Sequence, residues 1–251
     1  MSRLVWIDGQ TVDRRQLSDV RPCVVECVHT LDYRARRMER HLDVLRAAAE
    51  ELFGFAPLYR AGEMECVAAE LLARNRMTRT LSCPVRIVLS SRAELVVECQ
   101  TPTFGAGCYL RAKMPAAVAL HYDVPPWEHR SSMTEQIAAV ADRMVQMQGA
   151  EAAIRIDSQG MVAGRSWSPL FLVKDRYLFT PRRYDSAEYD MAVEAAEKAG
   201  LQLYVRPFSV RALDYADELF TVDSMGMTAY SRVGGRWLSS SIAAGMASCL
   251  E

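Results

Sequence analysis

Cys27 and His29 lie two residues apart in the run VVECVHTL, residues 24–31. An extended backbone alternates its side chains, so Val25, Cys27 and His29 share one face. A thiol beside an imidazole is a nucleophile with a base in reach. A second imidazole, His129, follows the proline- and aromatic-rich HYDVPPWE and could move a proton as general acid or base. Arg86 sits in the apolar strand pattern PVRIVLS, residues 84–90, where a guanidinium calls for an anion. Arg165 and Ser224 add donors that could help hold a carboxylate. A structural reading stands beside each. Cys and His two apart on a strand is also ordinary packing. His129 beside Trp127 is also a stacked loop ring, and Arg165 could be a solvated surface charge.

The elements that must position these residues alternate in type. Residues 4–8 read as a first strand closed by the turn pair Asp8-Gly9. Residues 24–31, 84–90, 94–99 and 108–112 read as further strands. Residues 34–53 have helical spacing through Met38, Leu42, Leu45 and Ala49, and 62–76 form another helix. Residues 132–148 form a helix on which Met133, Ile137, Val140, Met144 and Met147 are expected to be buried. Strands follow at 153–157, 161–163, 170–173 and 177–180. A helix over 190–199 ends at Gly200, a strand runs over 201–206, and a final helix covers 239–249.

Residues 149–181, GAEAAIRIDSQGMVAGRSWSPLFLVKDRYLFTP, resemble a long ordered run of the class IV aminotransferase family, the fold-type-IV enzymes of pyridoxal phosphate. That family includes branched-chain and D-amino-acid aminotransferases and aminodeoxychorismate lyase. The strand around Glu26, the helix around Arg37, His41 and Leu45, the strand Arg at 86, and residues 213–226 are similar to family motifs as well. The resemblance implies a two-domain α/β (α+β) fold with the pocket between the domains, here placed at 1–118 and 119–251. It also implies a homodimer and small amino- or oxo-acid substrates. Within it, Arg86 matches an Arg that helps bind a substrate carboxylate. Ser224, Met225 and Gly226 match a segment that contacts the phosphate or the substrate. His41 reads as structural.

Four positions depart from the family pattern. The cofactor-phosphate Arg is replaced by Val44. The Schiff-base lysine falls at Glu128, Arg130 or Ser131, depending on the register. The Glu that holds the pyridine nitrogen is replaced by Gly164, and the phosphate-loop Thr falls at Glu188. The only lysines are Lys113, Lys174 and Lys198. A phosphate without charge-assisted partners loses roughly 1.5–3 kcal/mol per bond. The expectation is therefore no cofactor. The chain would be either a cofactor-independent lyase, hydrolase or condensing enzyme acting on a small carboxylated, aromatic or oxo-acid metabolite, or a non-catalytic binding subunit. A third reading keeps the cofactor, using Lys113.

Composition excludes other classes. Of 251 residues, half are apolar, enough for real cores. Thirty basic and 31 acidic residues give a net charge of −1, so nothing favours nucleic acid. No apolar run is long enough to span a bilayer, and the first residues read as a strand rather than a leader. Seven scattered cysteines without a C-x-x-C pair point to a reducing, cytoplasmic setting and to no metal site.

Overall fold

The computed structural model describes residues 3–17, 22–103, 109–124, 129–165 and 167–250. The chain divides into two compact units, Met1–Ala106 with His129–Met133, and Gly107–Glu128 with Thr134–Glu251. The strand Ala116–His121 pairs within the second unit. Cys108, Pro125, Trp127 and Glu128, on which part of the expected strand and linker fall, lie outside the described residues.

The first unit contains β1 (Leu4–Ile7), β2 (Gln10–Asp13), β3 (Cys23–Val28), β4 (Thr30–Leu31), β5 (Arg34–Ala35), α1 (Met38–Phe53), α2 (Ala61–Arg74), β6 (Val85–Ser90) and β7 (Leu95–Cys99). One antiparallel sheet has the order β2-β1-β7-β6-β3. Strand alternation sends Val24, Val28, Val85, Ile87, Leu89, Leu95 and Val97 to one side, where Met38, Leu42, Leu45, Leu71 and Leu72 of the helices bury them. The expected helix over 34–53 starts four residues late. Residues 34–35 instead pair with 30–31 in a small hairpin whose turn, Asp32-Tyr33, has positive φ at both positions. No glycine marks that turn. Gly54, at φ +75°, ends α1 and donates to the Glu50 carbonyl. Asn75 ties the end of α2 to β1. Its Oδ1 accepts from Arg3 and Leu4 N–H, and its Nδ2 donates to the Leu4 and Leu71 carbonyls, all at 2.9–3.0 Å.

The second unit contains β8 (Ala116–His121), α3 (Ser132–Gln146), β9 (Ala152–Ile156), β10 (Val162–Gly164), β11 (Leu170–Lys174), β12 (Tyr177–Thr180), α4 (Ala187–Lys198), β13 (Gln202–Val205), β14 (Glu218–Asp223), β15 (Gly226–Ala229), β16 (Arg232–Val233), β17 (Arg236–Trp237) and α5 (Ser241–Ala247). Two five-stranded sheets have the orders β10-β9-β8-β16-β17 and β13-β12-β11-β14-β15. Ile154, Ile156, Leu170, Leu172, Leu219 and Tyr230 from both sheets share one core. α3 packs Ala141 and Val145 on Ala153, with Val118 and Leu120 beside them.

The expected buried methionine stripe is not buried. Met133, Val140, Met144 and Met147 are 43–88% exposed. The helix buries its small residues instead, Thr134, Ala138, Ala141 and Val145. Small side chains let it lie close on the sheet, which turns the long ones outward.

Candidate functional site

In the first unit, the β3–β6–β7 register puts Cys27 opposite Arg86 and Arg86 opposite Glu98, all on the sheet face away from α1 and α2. The Arg86 Nη1 reaches Glu98 Oε1 at 3.2 Å, Arg14 Nη1 reaches Glu98 Oε2 at 3.0 Å, and Gln100 Nε2 donates to Oε1 at 3.3 Å. The anion that the sequence reading asked for beside Arg86 is thus supplied by the chain itself. Glu98 is 6% exposed. It was missed although the hairpin register alone would have found it.

His29 follows the end of β3, and it and Cys27 are both buried. The His29 Nδ1 hydrogen bonds to the Ser82 hydroxyl at 2.5 Å. Burial, then the positive charge of Arg36 and the neighbouring His41, pushes the imidazole down to about 3. At pH 7 it is neutral and holds its proton too weakly to serve a thiol as base. Ser82 was not anticipated, since the contact spans 53 positions of sequence. On the opposite face of β3, Glu26 meets His41 Nδ1 of α1 at 2.7 Å, with both side chains buried. This agrees with the structural reading of His41.

His129 Nε2 lies 3.1 Å from Glu51 Oε2, an imidazole oriented by a carboxylate. The next residues run along β3. The Val25 N–H donates to the Arg130 carbonyl at 2.9 Å, Val24 and Ser131 form an antiparallel bridge, and the Cys23 N–H donates to Ser132 Oγ at 3.3 Å. Ser131 is buried.

In the second unit, Arg165 is not the free surface charge it could have been. Its guanidinium pairs with Asp142 of α3. Burial works against the charge, but Tyr230, Asp142 and Asp223 more than offset it and raise the pKa. Asp223 opens the two-residue turn Ser224-Met225 that joins β14 to β15. Its Oδ1 accepts the Met225 N–H at 2.8 Å, and Gly226 closes the turn at φ +100°. Ser224 is 4% exposed. The second unit therefore brings Arg165 into the field of the 223–226 turn.

Gly164 ends β10 at a register break, with φ +90°. A Cβ built there would lie 2.5 Å from the Tyr184 hydroxyl oxygen. Tyr184 is 6% exposed, its oxygen lies 3.4 Å from the Leu170 N–H, and the Arg182 guanidinium lies 4.3 Å above its ring. At the start of α4, Ser186 caps its own helix by accepting the Tyr189 N–H, and the first turn carries Glu188 and Asp190. Val44 is buried on the apolar side of α1. Lys113 pairs with Glu151, Lys174 with Asp217 at 3.1 Å, and Lys198 donates to the Cys249 carbonyl at 3.3 Å. Among the described residues no three His, Cys, Asp or Glu side chains cluster as metal ligands.

These elements define a mixed α/β chain of a known architecture. The profile of the amino-transferase class IV family matches residues 23–233, and the chain belongs to that family. The fold is that of branched-chain aminotransferases. The enzyme of Thermoproteus uzoniensis, solved with norvaline, superposes with a TM-score of 0.82 at 18% identity, over 99% of this chain and 94% of that one. The branched-chain aminotransferase of Escherichia coli gives 0.76 at 17% identity, over 95% and 89%. A hypothetical aminotransferase from Mycobacterium tuberculosis, in its apo form, gives 0.78 at 19% identity, over 98% of both chains. No curated protein matches the chain by sequence.

Proposed function

We propose that this chain is an enzyme on the class IV aminotransferase scaffold that works without pyridoxal phosphate, on a small carboxylated metabolite of the amino- or oxo-acid kind. The observation that carries the reading is the Gly164–Tyr184 contact. Where the family resemblance calls for a carboxylate against the pyridine nitrogen, the backbone is at positive φ and a tyrosine hydroxyl fills the space of a Cβ. The neighbouring anchors agree. Position 44 is a buried Val, the α4 N-terminus carries Glu188 and Asp190 where a phosphate would need donors, and Arg130 and Ser131 are not lysine. All three lysines are engaged elsewhere. The residues present do not fit the cofactor.

Lyase, hydrolase and condensation chemistry all remain within reach of the residues. Arg165 and the Ser224-Met225-Gly226 turn are proposed to hold the substrate carboxylate. His129, oriented by Glu51, is the preferred acid or base. Cys27 keeps its place as a candidate nucleophile, with His29 reduced to a hydrogen-bonding neighbour. The second reading, a binding subunit without catalysis, is favoured by Arg86, whose anion is internal, and by the neutral His29. A homodimer is part of the proposal. So is a cytoplasmic setting, supported by seven scattered cysteines without a C-x-x-C pair. No helix among the described residues is long and apolar enough to cross a membrane.

A visible absorbance titration with pyridoxal phosphate tests the central claim. The expected result is no saturable band. A band that borohydride fixes to Lys113 or another lysine would overturn it and restore ordinary transamination. A thermal-shift panel of aromatic and 2-oxo acids, with Arg165→Gln and His129→Ala as comparisons, then separates the two cofactor-free readings. Turnover lost in His129→Ala supports the enzyme. Binding without turnover supports the subunit.

A further inference from the structure

We propose that the first unit holds a binding site for a small organic phosphate, in the cavity between the end of α2, the start of β1 and the segment that follows β7. The cavity has a volume of about 960 Å³, and Arg3, Arg74 and Arg76 stand in its wall together with Asp13. It opens on the side of the sheet that the helices cover, where Leu4 and Met77 pack against the core. Arg86 and Glu98 lie on the opposite face of that sheet.

Three guanidiniums against one carboxylate leave the wall at +2, the complement of a phosphate dianion. Two of the three are held only loosely. Arg3 Nε lies 3.4 Å from Asp13 Oδ2, on a side chain that is 87% exposed. Arg74 Nη1 lies 3.1 Å from Oε1 of Glu70, an exposed pair one helical turn apart whose carboxylate is outside the wall. Exposed pairs of this sort are worth little, so they yield to a stronger acceptor. The parallel N–H groups of a guanidinium match the oxygens of a phosphate, and Thr78 and Thr101 add hydroxyls. Leu4, Met77 and Pro102 give the cavity an apolar side, which calls for an organic body behind the phosphate.

Arg76 is the residue that the fold explains least. α2 ends in a left-handed turn in which the Met77 N–H donates to the Leu72 carbonyl and the Arg76 N–H to the Ala73 carbonyl, both at 3.0 Å, with Arg76 at φ +53°. That position favours glycine, and α1 ends on one, Gly54. No acidic side chain among the described residues pairs with Arg76. Arginine thus adds nothing to the turn; what it adds is a guanidinium at the cavity wall. The carbonyl end of a helix repels an anion, but here Leu71, Leu72 and Ala73 carbonyls already accept hydrogen bonds from Asn75 Nδ2, Met77 and Arg76.

Isothermal titration calorimetry of the full-length protein tests the site, with phenyl phosphate, inorganic phosphate and phenol as probes in a phosphate-free buffer of low salt. Saturable binding is expected for phenyl phosphate, weaker binding for inorganic phosphate and none for phenol. Arg76→Gly should weaken phenyl phosphate binding about tenfold or more. The same variant should keep or raise the urea midpoint, because glycine suits the turn, so the lost affinity is not lost fold. Arg74→Gln, altered on the exposed surface of α2, should weaken binding as well. No saturable binding of phenyl phosphate, or undiminished binding in both variants, would overturn the site. Inorganic phosphate bound as tightly as phenyl phosphate would overturn the organic body.

Discussion

At position 164 a single missing side chain decides how the neighbourhood is packed. The Tyr184 hydroxyl occupies the place of a Cβ, and φ is +90°. Gly164→Ala should therefore cost about 2–4 kcal/mol, from the strained backbone together with the displaced ring. Tyr184→Phe removes the clashing oxygen but leaves the backbone as it is. In a urea-unfolding double-mutant cycle the alanine should cost less in the phenylalanine background, by about 0.5 kcal/mol or more. Strictly additive losses would show that the hydroxyl does not fill that space. The sequence made half of this legible. Gly164 stood out as a departure from a motif, whereas Tyr184 lies twenty residues on and reaches it only once β11 and β12 have folded back. The same limit hid Ser82 from His29 and Glu98 from Arg86.

Among the elements, α5 shows how a strand can begin a helix. Ser240 makes no side-chain cap, and the donors at the start of α5 turn to Glu218 of β14. Its carboxylate accepts from Ser239 Oγ, Ser241 Oγ, Ile242 N–H and Ala243 N–H at 2.8–3.2 Å, and it is 2% exposed. Glu218→Ala removes the acceptor of four donors, of which the Ala243 N–H is buried, and should lower stability by about 1–3 kcal/mol. Glu218→Gln, which keeps one acceptor, should lower it by less. Calorimetry of both variants checks the order, and equal losses would count against the capping role. Element type was largely readable from the sequence, because short apolar runs mark the strands and helical spacing marks α1. Burial was not always readable with it. On α3 the large residues were assigned to the core, yet small ones pack closer to a sheet, and only the neighbouring Ala153 and Val118 reveal which stripe is inward.

For the molecule as a whole, acid is the condition that its buried groups resist least. His29 has a folded pKa of about 3 against 6.5 when unfolded. Between those values the unfolded chain takes a proton that the folded chain refuses, so stability falls as pH falls through that window. From pH 7 to pH 5 the loss should be roughly 2 kcal/mol, measured as the shift in urea midpoint. His29→Asn should flatten this slope. An unchanged slope would assign it to another group. Asp13 is lowered by the Arg15 backbone N–H, and Asp217 by that of Asp175. Their stabilisation is present above their unfolded value of 3.8 and is lost only at more acid pH, which separates them from His29. Fold class and family were legible over most of the chain because long motifs survive. The candidate site was legible less fully, since contacts such as Ser82 with His29 and Tyr184 with Gly164 join distant sequence.

The path of residues 129–133 has a consequence for synthesis. β3 is the outermost strand of its sheet, and its free side is met by the Arg130 carbonyl and by Ser131. A ribosome delivers β8, which belongs to the other unit, before it delivers this cover. The first unit is therefore finished only after the second has begun. A nascent chain paused between residues 100 and 129 carries an open strand edge, the geometry that invites pairing with a neighbouring chain on the same message. The order of assembly is thus interleaved, and the pace of translation through residue 133 sets how long that edge stays bare.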